Sequence, residues 1–454
     1  MSVREKTSED CPIVVISGIF GPTNSSWCEM YWGEAMKLGT KASPVLALPV
    51  ASLGSAHDRA CEMFAQLRGC KVDYGKAHSE EFGHDQFGTD YTGQAMFPEW
   101  SAERPIHLVG HSFGGNTVRA FRYLVAIDFF NVGTSAAWVR STTTLCSPLH
   151  GSLLTYKMGH KESHCTKMPV RFFSVVNFVG LGMHAYELVC RKTGLDQYLD
   201  IGMRHWGLER AGWKQFFKSV AHGCTTAAQA RDNASQDLTI QDALEWLDRL
   251  GSLPKSAGSQ HFEFNFVANT RDLLHVNPIA RLWQRDGRIN ESYSDPNPQD
   301  GRACYQLRTD AEVKNLEPEL EQVAEDTVVV KESRSWRALV FMRDLGLHMA
   351  ARYAHSLSYA LAFEKKHHSE AICVKTFLES GTDGLCNVHS QYQSEHVLRE
   401  EELVPQKDRL APGQYTVLMS EHHSHFSIVP FPDSTSDQRM FFQQLFTSLR
   451  GLRV

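Results

Sequence analysis

The chain has 454 residues, enough for one large α/β domain or two ordinary ones. Its composition, 42% hydrophobic and 22% charged, excludes a disordered chain, a collagen-like repeat and a multi-span membrane protein. With a net charge of −6 and Lys and Arg spread along its length, it has no basic field to gather nucleic acid or an anionic bilayer.

The stretch from Met1 to Cys11 is polar and lacks the apolar core of a signal peptide. Eleven cysteines sit at irregular spacings without a Cys-x-x-Cys pair, which reads as mostly reduced thiols. Together these point to a soluble, cytoplasmic protein. The first strand signal runs from Pro12 to Ser17 and closes on Gly18, a short β-branched run typical of a buried parallel strand. A helical pattern spans Arg59 to Leu67. A second strand, Pro105 to Gly110, leads into His111-Ser-Phe-Gly-Gly115, and apolar residues recur at helical spacing from Asn116 to Leu124. Further strands are expected at Ser141 to Leu145, Phe262 to Val267, Ala371 to Val374 and Gln414 to Met419, with a helix at Leu238 to Leu250. The most apolar window, Phe172 to Val189, contains Asn177, His184 and Glu187 and is a poor membrane span. Strands alternating with helices imply an α/β fold, a largely parallel sheet covered on both faces. The polar stretch Ile289 to Asn315 reads as a surface loop or insertion, and the whole as a single elaborated domain.

Gly110-His-Ser-Phe-Gly114 fits Gly-x-Ser-x-Gly between an apolar strand and a helix. Such a turn is tight enough that a Cβ at either glycine would clash, and it forces Ser112 to the tip. The N–H of Phe113 faces the same space at the helix N-terminus. A second oxyanion donor is expected from Gly18-Ile-Phe-Gly21, after the first strand. A serine hydroxyl needs a histidine base and an acid that orients it, supplied later in the chain. Glu421-His-His-Ser-His425 follows the strand ending at Met419, and pattern alone does not choose among His422, His423 and His425. Asp383, in Thr382-Asp-Gly384, fits the acid and an ordinary Asp-Gly turn equally well.

A second cluster of ligand-type residues lies earlier: Asp58, then His78 and His84, six apart across a glycine. Carboxylate and imidazole suit zinc, although the spacing is equally that of a His-rich surface loop.

Several motifs extend these signals: Tyr31-Trp-Gly33, Asp58-Arg-Ala60, Val72-Asp-Tyr-Gly75, Ala77-His78, His84, Phe87-Gly88 and Tyr91-x-Gly93. After His107-Leu-Val-Gly-His-Ser-Phe-Gly-Gly115 come Trp206-Gly-Leu208, Asp232-Asn-Ala-Ser-Gln-Asp-Leu238 and Asp383-Gly-Leu-Cys-Asn387. From Pro12 to about Ile428, and most densely to Leu124, the chain resembles the zinc-containing lipases of staphylococci and thermophilic bacilli, members of the α/β-hydrolase fold. The Val-Asp-Tyr-Gly, Ala-His and Gly-His block is the most specific part. The resemblance implies Ser112 as nucleophile, Asp383 as acid, His425 as base, and Ile19 and Phe113 as backbone oxyanion donors. It implies a structural zinc held by Asp58, His78, His84 and Asp232, since two carboxylates and two imidazoles neutralise the ion and fill its tetrahedron.

Three departures stand out. The family's His-Gly after the first strand is Ser17-Gly18, so hydrogen bonding behind the oxyanion loop should differ. The family's calcium position is Ser427 with only Asp433 nearby, so calcium is not predicted. Family members are usually secreted, whereas no export signal is seen here. The expected architecture is one domain over 10–450, with a zinc-site insertion about 55–93, a lid region about 150–230 and a polar insertion about 285–335. In the lid, Phe172, Val175, Val176, Val179, Met183 and Tyr186 would form one face over the pocket, a pattern that an ordinary core helix fits equally well.

The expected activity is hydrolysis of fatty-acyl esters such as acylglycerols, with a lipid ester as partner and no nucleic acid. A lid helix would also allow transient contact with a membrane or lipid droplet. The alternatives are an esterase or acyltransferase on smaller esters, and a catalytically silent scaffold that kept fold and zinc.

Overall fold

The computed structural model describes residues 10–161, 170–171, 174–193, 201–222, 231–254, 261–268, 386, 388–391, 397–399, 415–420, 425, 428–429 and 436–452. The strand expected at Ala371 to Val374 and the polar insertion lie outside them. In chain order the elements begin β1 (Ile13–Ile16), α1 (Ser25–Trp32), β2 (Val45–Ala47), α2 (Ala56–Arg68), β3 (Lys71–Asp73), α3 (Lys76–Phe82) and β4 (Phe87–Asp90). Then come β5 (Ile106–His111), α4 (Phe113–Ala126), β6 (Val139–Leu145), α5 (Leu153–Met158), α6 (Val175–Thr193) and α7 (Leu208–His222). The rest are α8 (Ala234–Asp237), α9 (Ile240–Gly251), β7 (Phe262–Ala268), β8 (Val397–Arg399), β9 (Tyr415–Ser420) and α10 (Ser436–Arg450).

Seven strands form one sheet in the order β2-β1-β5-β6-β7-β9-β8. Every pairing within it is parallel. The pattern of β1 shows why this sheet is covered on both sides. Its four residues are all buried, and alternate side chains enter opposite layers. Val14 and Ile16 join a core built with α2 and α4, including Phe64, Trp100, Phe113 and Phe121. Ile13 and Val15 join the layer under α10, with Trp32, Phe442 and Phe446. β7 repeats the device with different chemistry. Phe262, Phe264 and Phe266 face the α10 layer, while Glu263 faces α4 and meets Arg119 Nε at 3.1 Å and Arg122 Nη1 at 3.2 Å. An acidic residue inside a strand is thereby neutralised by the helix it packs on.

β3 and β4 pair antiparallel as a separate ribbon beside α2, with α3 between them in sequence. α2 starts at Ser55, whose hydroxyl accepts from the Asp58 N–H. No helix among the described residues is long and apolar enough to cross a membrane. No disulfide joins any of the seven described cysteines.

Candidate active site and metal cluster

β5 runs straight into α4, and Ser112 is the residue at the junction. Its backbone sits at φ 55° and ψ −129°, which an L-residue rarely adopts. The flanking glycines allow the turn: a Cβ on Gly110 would collide with the Gly114 carbonyl, and one on Gly114 with the Ile16 carbonyl. The Ser112 N–H donates to Leu145 O at 2.8 Å, fixing the turn to the end of β6. His425 follows β9 in sequence, two strands along from β6 in the sheet order. Its Nε2 lies 2.9 Å from Ser112 Oγ, so the hydroxyl can donate to it. The structure thus brings Ser112 and His425 together; Asp383, His422 and His423 lie outside the described residues.

A second histidine organises this contact. His111 is buried, and burial, with the neighbouring His425, keeps its imidazole well below its usual pKa and therefore neutral. Its Nε2–H donates to the His425 carbonyl at 2.8 Å. That leaves Nδ1 as acceptor for the Tyr31 hydroxyl. Tyr31 in turn accepts from the Gly18 N–H. One continuous chain of hydrogen bonds therefore joins the loop after β1, the serine turn and the histidine loop. The loop after β1 is closed further by Gly21 N–H to Gly18 O at 3.1 Å and Phe20 N–H to Ser52 O at 2.9 Å. Ser17 Oγ is buried without a hydrogen-bond partner among the described residues, and the Ser17 carbonyl is held by Arg59.

Farther along the chain, Cys386 and Gln391 are tied to the end of β7. The Gln391 carboxamide accepts from Ala268 N–H at 3.0 Å and donates to Ala268 O at 3.1 Å and Cys386 O at 3.1 Å. Ser390 Oγ donates to Gly151 O at 2.5 Å.

All four expected metal ligands converge. One donor atom each from Asp58, His78, His84 and Asp232 lies within 4.8 Å of every other. His78 Nε2 is 3.2 Å from Asp58 Oδ1 and 3.4 Å from Asp232 Oδ1; His84 Nε2 is 3.1 Å from Asp232 Oδ2 and 4.0 Å from Asp58 Oδ1. A tetrahedral ion with bonds of about 2.0–2.1 Å separates its donor atoms by about 3.3 Å. The chemistry fits as well as the spacing. His84 Nδ1 donates to the Asp85 carbonyl at 2.9 Å, which turns the Nε2 lone pair inward. Nε2 and Asp232 Oδ2 then face each other 3.1 Å apart in a buried setting. Such a donor set fits a cation. Burial would lower His78, but the Asp232 and Asp58 carboxylates outweigh it and raise its pKa to about 10. A second layer supports Asp58: His205 Nε2 lies 2.9 Å from its Oδ2, and Tyr74, near His205 Nδ1 at 3.2 Å, donates to Glu62 at 3.1 Å.

Comparison with known proteins agrees with this geometry. Residues 9–257, more than half of the chain, match the family described as lipase-like, C-terminal domain. The chain belongs to this family. Over 269 residues it is 28% identical to a lipase of Staphylococcus epidermidis, a stretch covering 53% of this chain and 36% of that protein. Over 256 residues it is 28% identical to lipase 2 of Staphylococcus aureus, covering 50% of this chain and 34% of that one. The chain therefore spans about a third of the length of the curated relatives it matches. Among solved structures it is similar to EstA from Clostridium botulinum, with a TM-score of 0.55, 18% identity and coverage of 100% and 90% of the two chains. It is similar to Staphylococcus hyicus lipase at a TM-score of 0.55 and 16% identity, covering 99% and 97%. The fold is the α/β-hydrolase fold.

In this lipase-like domain α6 and α7 pack on each other. Val179 and Met183 of α6 lie against Met203, Trp206 and Leu208, in the cluster that also receives Ile19. The expected apolar face is thus only partly the inner one. Val175 is exposed, as is Phe178, and on α7 so are Trp213, Phe217 and Val220. Apolar residues occupy both sides of α6, so helical periodicity could not assign its inner face. Phe172 lies outside the described residues.

Sequence reasoning missed Tyr31, Arg59, His111 and His205, which lie within or beside motifs that marked the family. The signal was present, but their partners include main-chain groups or residues remote in sequence, which no local pattern displays.

Proposed function

We propose that the chain is a serine carboxylester hydrolase acting on fatty-acyl esters, a lipase of the kind its relatives are named for. The observation that carries this reading is the 2.9 Å approach of His425 Nε2 to Ser112 Oγ at a strained strand-to-helix turn. Strain of this kind is retained where it presents a reactive group.

Ser112 Oγ attacks the ester carbonyl while His425 Nε2 takes its proton, and the imidazolium then protonates the departing alcohol. The acyl-enzyme is released by water through the same steps reversed. The N–H groups of Phe113 and Ile19 receive the oxyanion, each worth roughly 3–4 kcal/mol of transition-state stabilisation. Asp383 holds the His425 tautomer. It precedes Cys386 by three residues, and Cys386 is anchored by Gln391 beside the end of β7. Zinc is the ion we assign to Asp58, His78, His84 and Asp232. When bound it supplies charge neutralisation and cross-linking, joining the β3–β4 ribbon and the α8 turn to α2. The exposed apolar residues of α6 and α7 favour an aggregated lipid substrate over a small dissolved one. We take 10–450 as one domain, with 150–230 as its lid region.

The test is hydrolysis of a graded series of acyl esters, short to long, by the wild type, Ser112→Ala and His425→Ala. Turnover rising on long aggregated esters, lost in both variants with zinc content unchanged, supports the reading. Retained turnover in Ser112→Ala refutes the mechanism. Activity confined to short esters leaves an esterase, and none on any ester leaves a scaffold.

A further inference from the structure

Arg59 is fully buried in the first turns of α2, next to the metal-cluster residue Asp58. A guanidinium removed from water is costly unless its charge and donors are used. Among the described residues its direct hydrogen bonds go to no carboxylate. Nη2 donates to Ser17 O at 2.5 Å and reaches Gly18 O at 3.4 Å, while Nε and Nη1 have no hydrogen-bond partner among those residues. Its Cζ lies 5.1 Å from the centroid of the Phe113 ring. The cation therefore touches both the loop after β1 and the residue that follows Ser112.

The planar trans peptide gives these contacts a direction, because the C=O and N–H of one unit point opposite ways. In the unit joining Ser17 and Gly18, the carbonyl points to Arg59 and the N–H to Tyr31. In the next unit, the Gly18 carbonyl turns toward Arg59 and the Gly21 N–H, so the Ile19 N–H points the other way. Gly18 itself lies against the nucleophile, since a Cβ there would sit 2.8 Å from Ser112 Cβ. We propose that Arg59 is a positioning residue that sets the oxyanion loop: by holding the Ser17 and Gly18 carbonyls it aims the Ile19 N–H at the carbonyl oxygen under attack. This rests on the hydrolase reading above. A cation behind the carbonyl also polarises the peptide and makes the opposite N–H a better donor. The role is specific to the reaction, because the loop is already closed by Phe20 to Ser52 and Gly21 to Gly18.

The experiment uses the full chain carrying Arg59→Met or Arg59→Lys, with thermal melts to establish folding at the assay temperature. kcat and KM are measured on a soluble p-nitrophenyl ester, alongside the rate of Ser112 labelling by a fluorophosphonate. Misplacing one reacting or stabilising group costs up to about a hundredfold. Folded Arg59→Met should lose about 10- to 100-fold in kcat and slow its labelling similarly, with KM within about threefold. Arg59→Lys, with its charge kept and only one carbonyl in reach, should recover part of the loss. Folded Arg59→Met with kcat within about twofold of wild type, or a loss confined to KM, overturns the inference. If Arg59→Met does not fold, Arg59→Lys decides by the same split: lowered kcat at constant KM supports it, and unchanged kcat overturns it. A wild type that neither hydrolyses the ester nor labels at Ser112 defeats the hydrolase reading and this inference with it. A wild type that does both, beside an unimpaired folded variant, defeats this inference alone.

Discussion

At Tyr31 a single hydroxyl serves two sides of the site, accepting from the Gly18 N–H and donating to His111 Nδ1. Burial raises its pKa, so it stays a phenol and keeps its proton for His111. Tyr31→Phe leaves two buried polar groups unpaired, each costing about 1–3 kcal/mol. We expect a loss of about 2–6 kcal/mol in urea unfolding, together with lower kcat as the His425 loop loosens. Unchanged stability would show that the ring, not the hydroxyl, is what matters there. The Asp58, His78, His84 and Asp232 set was marked by the family resemblance and not by its spacing, whereas Ser112 was legible from its motif between a strand and a helix. Arg59 and His111 were not, because they act on the carbonyls of Ser17 and His425, and every residue has a carbonyl.

Among the elements, those with a strong period were foreseen. β5 and β7 are enclosed runs, and α9 carries its apolar residues on one stripe. The short strands β2, β3, β4 and β8 were not. With three or four residues each, they carry too little periodicity, and their pairing rather than their composition makes them strands. The residues of β4 are largely exposed, so an ion at the proposed metal cluster would anchor the β3–β4 ribbon more than a core of its own does. Stripping the ion with a chelator should lower the melting temperature and speed amide exchange in the ribbon and α3. An ion present at a hundredfold its Kd contributes about 2.7 kcal/mol. Asp232→Asn should remove this dependence on chelator. A melting temperature indifferent to chelation would exclude a stabilising metal at this cluster.

For the molecule as a whole, buried neutral imidazoles set a limit at low pH. Burial holds His111 and His261 well below their usual range and lowers His160 to about 4. An unfolded histidine titrates near 6.5, so the unfolded chain binds more protons between these values. The stability contributed by a neutral His160 is therefore complete above about pH 6.5 and lost as pH falls to about 4, a change on the order of 3 kcal/mol. Glu62, raised to about 7 by burial, acts in the opposite sense, so the comparison must be differential. Wild type should lose stability relative to His160→Gln over that window. Parallel curves for the two proteins would mean that His160 does not titrate with folding.

The parallel order of the sheet has a further consequence. Ser112 and His425 meet across 313 residues of chain, with β6 and β7 laid down between their strands. Closing so wide a loop is entropically dear and kinetically late. On the hydrolase reading, a chain that has made the serine turn but not this closure would hold the hydroxyl without its base, so activity should return with the longest-range contacts rather than with the turn.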